Sequence, residues 1–248
     1  MTKKRLFTPP SNVQSSAKNE YDSKDDLYAI EKYLCRYNED IVSKLSIYCK
    51  KNQNILDFGA GIGTLCQIWK KKEDVNIECV EIDPEFRKIL TERGFHTYEN
   101  LDLCQKNFDM IYTSNVIEHI DDDIGILKKI HSKLKTRGLV AIYVPAFMCL
   151  YSELDIAYGH YRRYEKRELM EKVKQSNFNI LECYYDDGLG FFASLFIKII
   201  GYKPGSNEAY KSFKIYGKYI YPISKLVDKL GIKYIFGKNL VLIAVKNS

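Results

Sequence analysis

Apolar residues along this chain follow two spacings that alternate over most of its length. From Leu27 to Tyr48 they recur at helical intervals, Leu27, Ile30 and Leu34 and then Ile41, Leu45 and Tyr48, which predicts one or two helices. Short apolar runs that predict strands follow at Ile55 to Asp57, Ile77 to Ile82, Asp109 to Ser114, Leu139 to Val144, Ile180 to Tyr185 and Leu240 to Val245. Between them helical spacing returns over Thr64 to Lys71, Pro84 to Glu92, Asp121 to Leu134 with a terminating turn at Gly138, and Lys166 to Gln175. Strands alternating with helices predict a doubly wound α/β fold with a mostly parallel sheet, which binds ligands at the carboxyl ends of its strands. Residues 1–20 read as a disordered basic tail, 21–50 as a helical cap, 51–187 with 238–248 as the core, and 188–237 as a helical insertion before the last strand.

The stretch NILDFGAGIGTL, Asn54 to Leu65, sets three glycines at alternate positions after the first strand. Glycine is needed where a turn is tight and a ligand lies on bare backbone, so Gly59, Ala60, Gly61 and Gly63 form a candidate cofactor cradle. A dinucleotide fingerprint would place its third glycine at position 64, where Thr64 stands, and this argues against NAD or FAD. S-adenosylmethionine suits the pattern better. Its ammonium can sit near Asp57, its carboxylate can meet the amides of a helix N-terminus, and Glu81, closing the second apolar run beside Ile82, can accept both ribose hydroxyls.

DFGAGIGTL, VEIDPE and FDMIYTSNVIEHI together resemble the class I S-adenosylmethionine-dependent methyltransferases, and the resemblance covers at least residues 54–145. It continues through VPAFMCLYSELDIAYGHYRRYEKREL and FGKNLVLIAVK toward a bacterial subgroup associated with polysaccharide and glycolipid synthesis. The resemblance implies a Rossmann-like seven-stranded sheet with a reversed last strand, and cofactor-binding roles for Asp57, Gly59, Gly61 and Glu81. It also places Asn115 at the methionine and methyl end, and Leu101 or Asp102 as the adenine contact.

Four histidines supply the candidate chemistry, of which His119, in SNVIEH, and His160, in GHYRRY, follow the apolar runs Asp109 to Ser114 and Leu139 to Val144. In a doubly wound sheet both loops open on one edge, so His119 and His160 are expected in one cavity with Glu118. The arrangement resembles that of the enzymes that 2'-O-methylate small RNA ends and of some ubiquinone-pathway O-methyltransferases. In the RNA enzymes a Glu-x-x-Glu-His stretch and a later histidine hold a divalent metal; here Asn115 stands at the first carboxylate position. Two roles stay open, a metal set of three residues or a general base positioned by Glu118. Tyr161, Arg162, Arg163 and Tyr164 are a candidate clamp for a phosphate or a sugar carboxylate.

Composition narrows the setting. The chain has 248 residues, 46% of them hydrophobic, and no apolar run of membrane-spanning length. Seven widely spaced cysteines without a CxxC pair fit reduced thiols in the cytoplasm. The net charge of +6 is concentrated at the ends: ten lysines follow residue 197 against only Glu208 and Asp228. The lysines mix with tyrosines and aliphatics at helical spacing, which suits peripheral contact with the inner face of a membrane, or a cap over the site. The expected activity is O-methylation of a hydroxyl or carboxyl of a small molecule, glycan, sugar-phosphate or lipid-linked acceptor. RNA is the alternative acceptor, and a non-catalytic cofactor-binding subunit the alternative from another class.

Overall fold

The computed structural model describes residues 23–201 and 206–247, so the expected tail over residues 1–20 lies outside the described residues. Helices α1 (Ser23–Tyr33) and α2 (Cys35–Leu45) are two because Leu34, at ψ 33°, breaks the helical geometry between them. Strands β1 (Asn54–Phe58), β2 (Asn76–Val80), β3 (His96–Tyr98), β4 (Phe108–Ser114) and β5 (Leu134–Pro145) pair in parallel. The last strand, β7 (Asn239–Lys246), runs antiparallel between β5 and β6 (Phe178–Asp186), giving the order β3-β2-β1-β4-β5-β7-β6. The expected fold class holds, reversed last strand included.

Side chains alternate across the sheet and build two cores. Ile55, Met110 and Ala141 face α2, α3 (Thr64–Lys72) and α4 (Pro84–Glu92), where Trp69 and Leu90 are sealed from solvent. Leu56, Ile111 and Ile142 face α5 (Asp123–Lys133) and α7 (Lys166–Gln175). Each such side chain contributes roughly 1.5–3 kcal/mol by leaving water. Local chemistry fixes the ends of the connecting helices. Asp83 accepts hydrogen bonds from the amides of Glu85 and Phe86 and Pro84 opens α4, while Asp122 caps α5 through the Gly125 amide at 2.8 Å.

Two boundaries differ from the sequence reading. Gly138 does not terminate α5: Leu134 already belongs to β5, and a Cβ at position 138 would stand 2.9 Å from the Lys135 carbonyl oxygen. The glycine answers to close backbone approach at a strand irregularity, not to a helix cap. Strand β2 stops at Val80, which leaves Glu81 and Ile82 just beyond it.

The chain leaves the sheet after β6 and returns at β7 through α8 (Gly188–Ile200), α9 (Asn207–Ile215) and α10 (Tyr221–Lys229), with a π turn over Tyr216–Ile220 joining the last two. Two buried acids tie this insertion to the sheet. Asp228 accepts from the amides of Asp187 and Gly188 at 2.9 and 3.0 Å, and Asp187 accepts from Tyr216 Oη and Ser224 Oγ. Helix α8 exposes Phe192, Leu195, Phe196, Ile199 and Ile200, a single stripe at i, i+3, i+4, i+7 and i+8, α10 exposes Ile223 and Leu226, and Leu230 at its C-cap is also exposed. Among the described residues no helix is long and apolar enough to cross a membrane. All seven cysteines are free thiols.

Candidate active site

The chain leaves β1 into a turn where Gly59, Gly61 and Gly63 all have positive φ, 81°, 54° and 86°. A Cβ at position 59 would also lie 2.3 Å from Val116 Cγ2, so handedness and space both demand glycine there. The amides of Gly59 and Ala60 donate to the Val80 carbonyl, and that of Gly61 donates to Glu81 Oε2 at 2.7 Å. Glu81 Oε1 accepts from the Asp83 amide at 3.0 Å. The buried Glu81 carboxylate is thus oriented at the strand end, and both oxygens keep lone pairs for ribose hydroxyls. Ile82 beside it is 79% exposed, an apolar surface at the same edge.

Asp57 is also buried, and Tyr112 Oη donates to it at 2.5 Å. Burial pushes its carboxyl up to about 7; the hydrogen bond from Tyr112 opposes the shift and the charge of Glu81 adds to it. Asn115 follows β4 in the left-handed region, φ 54°, with its side chain exposed. Leu101 and Asp102, expected at the adenine, follow β3 on a 3-10 turn. Leu101 is sealed in the core, and the Asp102 carboxylate is paired with Lys129 at 2.8 Å on the exposed side of a 3-10 turn. Helix α1 lies across the glycine turn: Leu27 packs beside Gly61, and Glu31 accepts from Thr64 Oγ1 and Arg93 Nη1, each at 3.0 Å.

Glu118, His119 and His160 meet beyond the ends of β4 and β5, with one ligating atom from each lying within 4.8 Å of the others. The imidazole rings stand nearly perpendicular, 88°, with centroids 4.5 Å apart, and His160 Nε2 is 4.0 Å from Glu118 Oε1. Glu118 has no exposed surface, and neither carboxyl oxygen has a hydrogen-bond partner. Burial pushes its carboxyl up to about 8 against the pull of Arg163. His119 keeps an open edge to solvent, yet the protein packed around its ring, together with His160, holds its pKa down at about 4. Sequence reasoning missed Asp155, which lies on the short helix α6 (Glu153–Ala157). Its Oδ1 is 2.8 Å from His160 Nδ1 and accepts from Arg163 Nε at 2.8 Å; its Oδ2 accepts from the Ser152 amide at 2.9 Å.

The clamp expected of GHYRRY is corrected for two of its members. Tyr164 is fully buried, and its hydroxyl donates to Asp123 Oδ2 at 2.9 Å, so it offers no face to a ligand. The Arg162 guanidinium is taken up by Asp123 Oδ2 at 2.8 Å and by the carbonyls of Ile120 and Asp121. Arg163 and Tyr161 differ from these. Arg163 Nη1 is buried without a partner, and Tyr161 is exposed while its amide donates to the Glu118 carbonyl at 2.8 Å.

The sheet order, the glycine cradle and the acid just beyond the end of β2 define a class I S-adenosylmethionine-dependent methyltransferase, and the cradle's side-chain-free glycine backbone and the oriented Glu81 fit that cofactor. A family model described as a methyltransferase domain matches residues 30–183, and the chain belongs to that family. Over 193 residues the chain is 24% identical to malonyl-[acyl-carrier protein] O-methyltransferase 1 of Ilyobacter polytropus, covering 68% of this chain and 70% of the relative. A SAM-dependent methyltransferase from Archaeoglobus fulgidus superposes with a TM-score of 0.58 at 21% identity, over 89% of this chain and 99% of the other. Phosphoethanolamine N-methyltransferase 2 of Haemonchus contortus, in complex with S-adenosyl-L-methionine, gives 0.60 at 16% identity, over 89% and 56%.

Proposed function

We propose that this methyltransferase acts on oxygen, a hydroxyl or carboxyl, of a lipid-linked acceptor such as a glycolipid or sugar-phosphate intermediate held at a membrane surface. The observation that carries the reading is the bare apolar face of the insertion. Of the large hydrophobic side chains left exposed, Phe192, Phe196, Ile199, Ile200, Ile223 and Leu226 fall on two helices that pack on each other. The same insertion exposes Lys211 and Lys214 on α9, Lys218 in the π turn and Lys229 on α10, a basic composition suited to an anionic interface. This face adjoins the segment after β5 that leads to His160, because Lys198 of α8 donates to the Cys149 carbonyl at 2.7 Å. Oxygen is favoured as the methylated atom by the name of the Ilyobacter relative and by the acid and two imidazoles grouped beyond β4 and β5.

In the transfer the sulfur–methyl bond breaks as the oxygen–methyl bond forms, and the sulfonium leaves as a neutral thioether. A hydroxyl acceptor must also lose its proton, and Glu118, His119 and His160 are the groups that lower the cost of that loss. Replacing His119 or His160 by Ala is expected to leave cofactor affinity intact and to lower turnover by roughly 10² to 10⁴. The deciding experiment incubates fractions of cell extract with methyl-labelled cofactor. Label in the lipid extract supports the reading; label in RNA or protein, or none, overturns it. Sedimentation with anionic vesicles, lost in Phe196→Glu with Ile199→Glu and reduced by salt, tests the membrane contact separately.

A further inference from the structure

We propose that Glu118, His119 and His160 bind one divalent transition-metal ion. The proposal concerns the site assigned above to the acceptor and does not depend on which acceptor it takes. A carboxylate and two imidazoles are a mixed oxygen and nitrogen set suited to borderline ions such as zinc, cobalt and manganese. Their ligating atoms lie within 4.8 Å of one another. Ligands at about 2.0–2.2 Å from a shared ion stand roughly 3–3.5 Å apart, so the observed 4.0 Å between Glu118 and His160 closes with a side-chain adjustment of under about 1 Å. Three protein ligands would leave at least one position open for an acceptor oxygen.

Two further features point to an ion. Glu118 is wholly buried and both its oxygens lack partners, a costly arrangement that a cation offsets. Each imidazole is also oriented from outside, as metal-ligating histidines are. Asp155 takes the Nδ1 side of His160 at 2.8 Å, which leaves Nε2 toward Glu118, and the backbone carbonyls of Tyr158 and Gly159 engage the His119 ring. The charge of Asp155 is balanced by Arg163, so Glu118 supplies the net negative charge at the site.

The test uses the full chain without an affinity tag, titrated with cobalt(II) and followed by visible absorption and calorimetry. One ion per chain is expected, bound at least about 100-fold more weakly by Glu118→Gln and by His160→Ala. Asp155→Asn, which keeps all three ligands, should weaken binding by about 10- to 100-fold. Cofactor binding and melting temperature show that each variant is folded. The proposal is overturned if the wild type takes up no cobalt, or if folded Glu118→Gln binds it as the wild type does. Full methyl transfer by chelated enzyme would remove the ion from the reaction and leave the acceptor reading intact, whereas tight cobalt binding with no labelled lipid would do the reverse.

Discussion

Asp57 occupies a position where burial disfavours the charged form of its carboxyl. Its carboxyl is held at about 7, above the ordinary 3.8, so the folded chain binds the proton more tightly than the unfolded one. The stability this group contributes is complete below about pH 4 and is lost as pH rises toward 7. Asp57→Asn is therefore expected to melt higher than the wild type at pH 8 and alike at pH 4, by scanning fluorimetry. With the cofactor's ammonium placed near Asp57, affinity for S-adenosylmethionine should rise from pH 6 to 8 in the wild type and stay flat in the variant. Glu81→Ala, if Glu81 holds the ribose as expected, should cost about 1.5–3 kcal/mol in cofactor affinity by calorimetry; an unchanged affinity would place the ribose elsewhere. Glu81 and the glycines were legible because their spacing is local. Asp155 was not, since one acid in an acid-bearing loop has no signature until a 2.8 Å contact with His160 assigns it. Arg162 and Tyr164 misled because sequence does not say which side chains are already occupied.

Among the elements, periodicity revealed most of the strands and helices and the interrupted last hairpin. It placed the turn at Gly138 on the wrong element, because close approach to the Lys135 carbonyl and a helix cap both select glycine. The stripe on α8 was visible as spacing, but its anchorage was not: Asp187 and Asp228 lie 41 residues apart and meet through a backbone amide. Breaking that anchor gives a prediction at this scale. Asp228→Ala leaves the buried amides of Asp187 and Gly188 unpaired, at a cost of about 1–3 kcal/mol. Hydrogen exchange should quicken over α8 and α10 while β4 and β5 keep their protection; equal loss in all four elements would show that the insertion does not open separately.

Across the whole molecule, one helix touches both halves of the site. At one end of α1, Tyr158 from the segment that carries His160 donates to Asp26 at 2.8 Å; toward the other, Glu31 is bound to Thr64 and Arg93 beside the glycine turn. Demethylated cofactor at a hundred times its Kd should add about 2.7 kcal/mol to global stability, measurable by chemical denaturation. The bridge made by α1 has a kinetic corollary. A cofactor seated on the glycine turn would leave past this helix, and lifting the helix would also slacken the loop that carries His160. Egress is then expected to pace the cycle, and rapid-quench mixing should show a burst of about one methylated product per chain before a slower steady rate. Glu31→Gln, by loosening the latch, should raise that steady rate and shrink the burst.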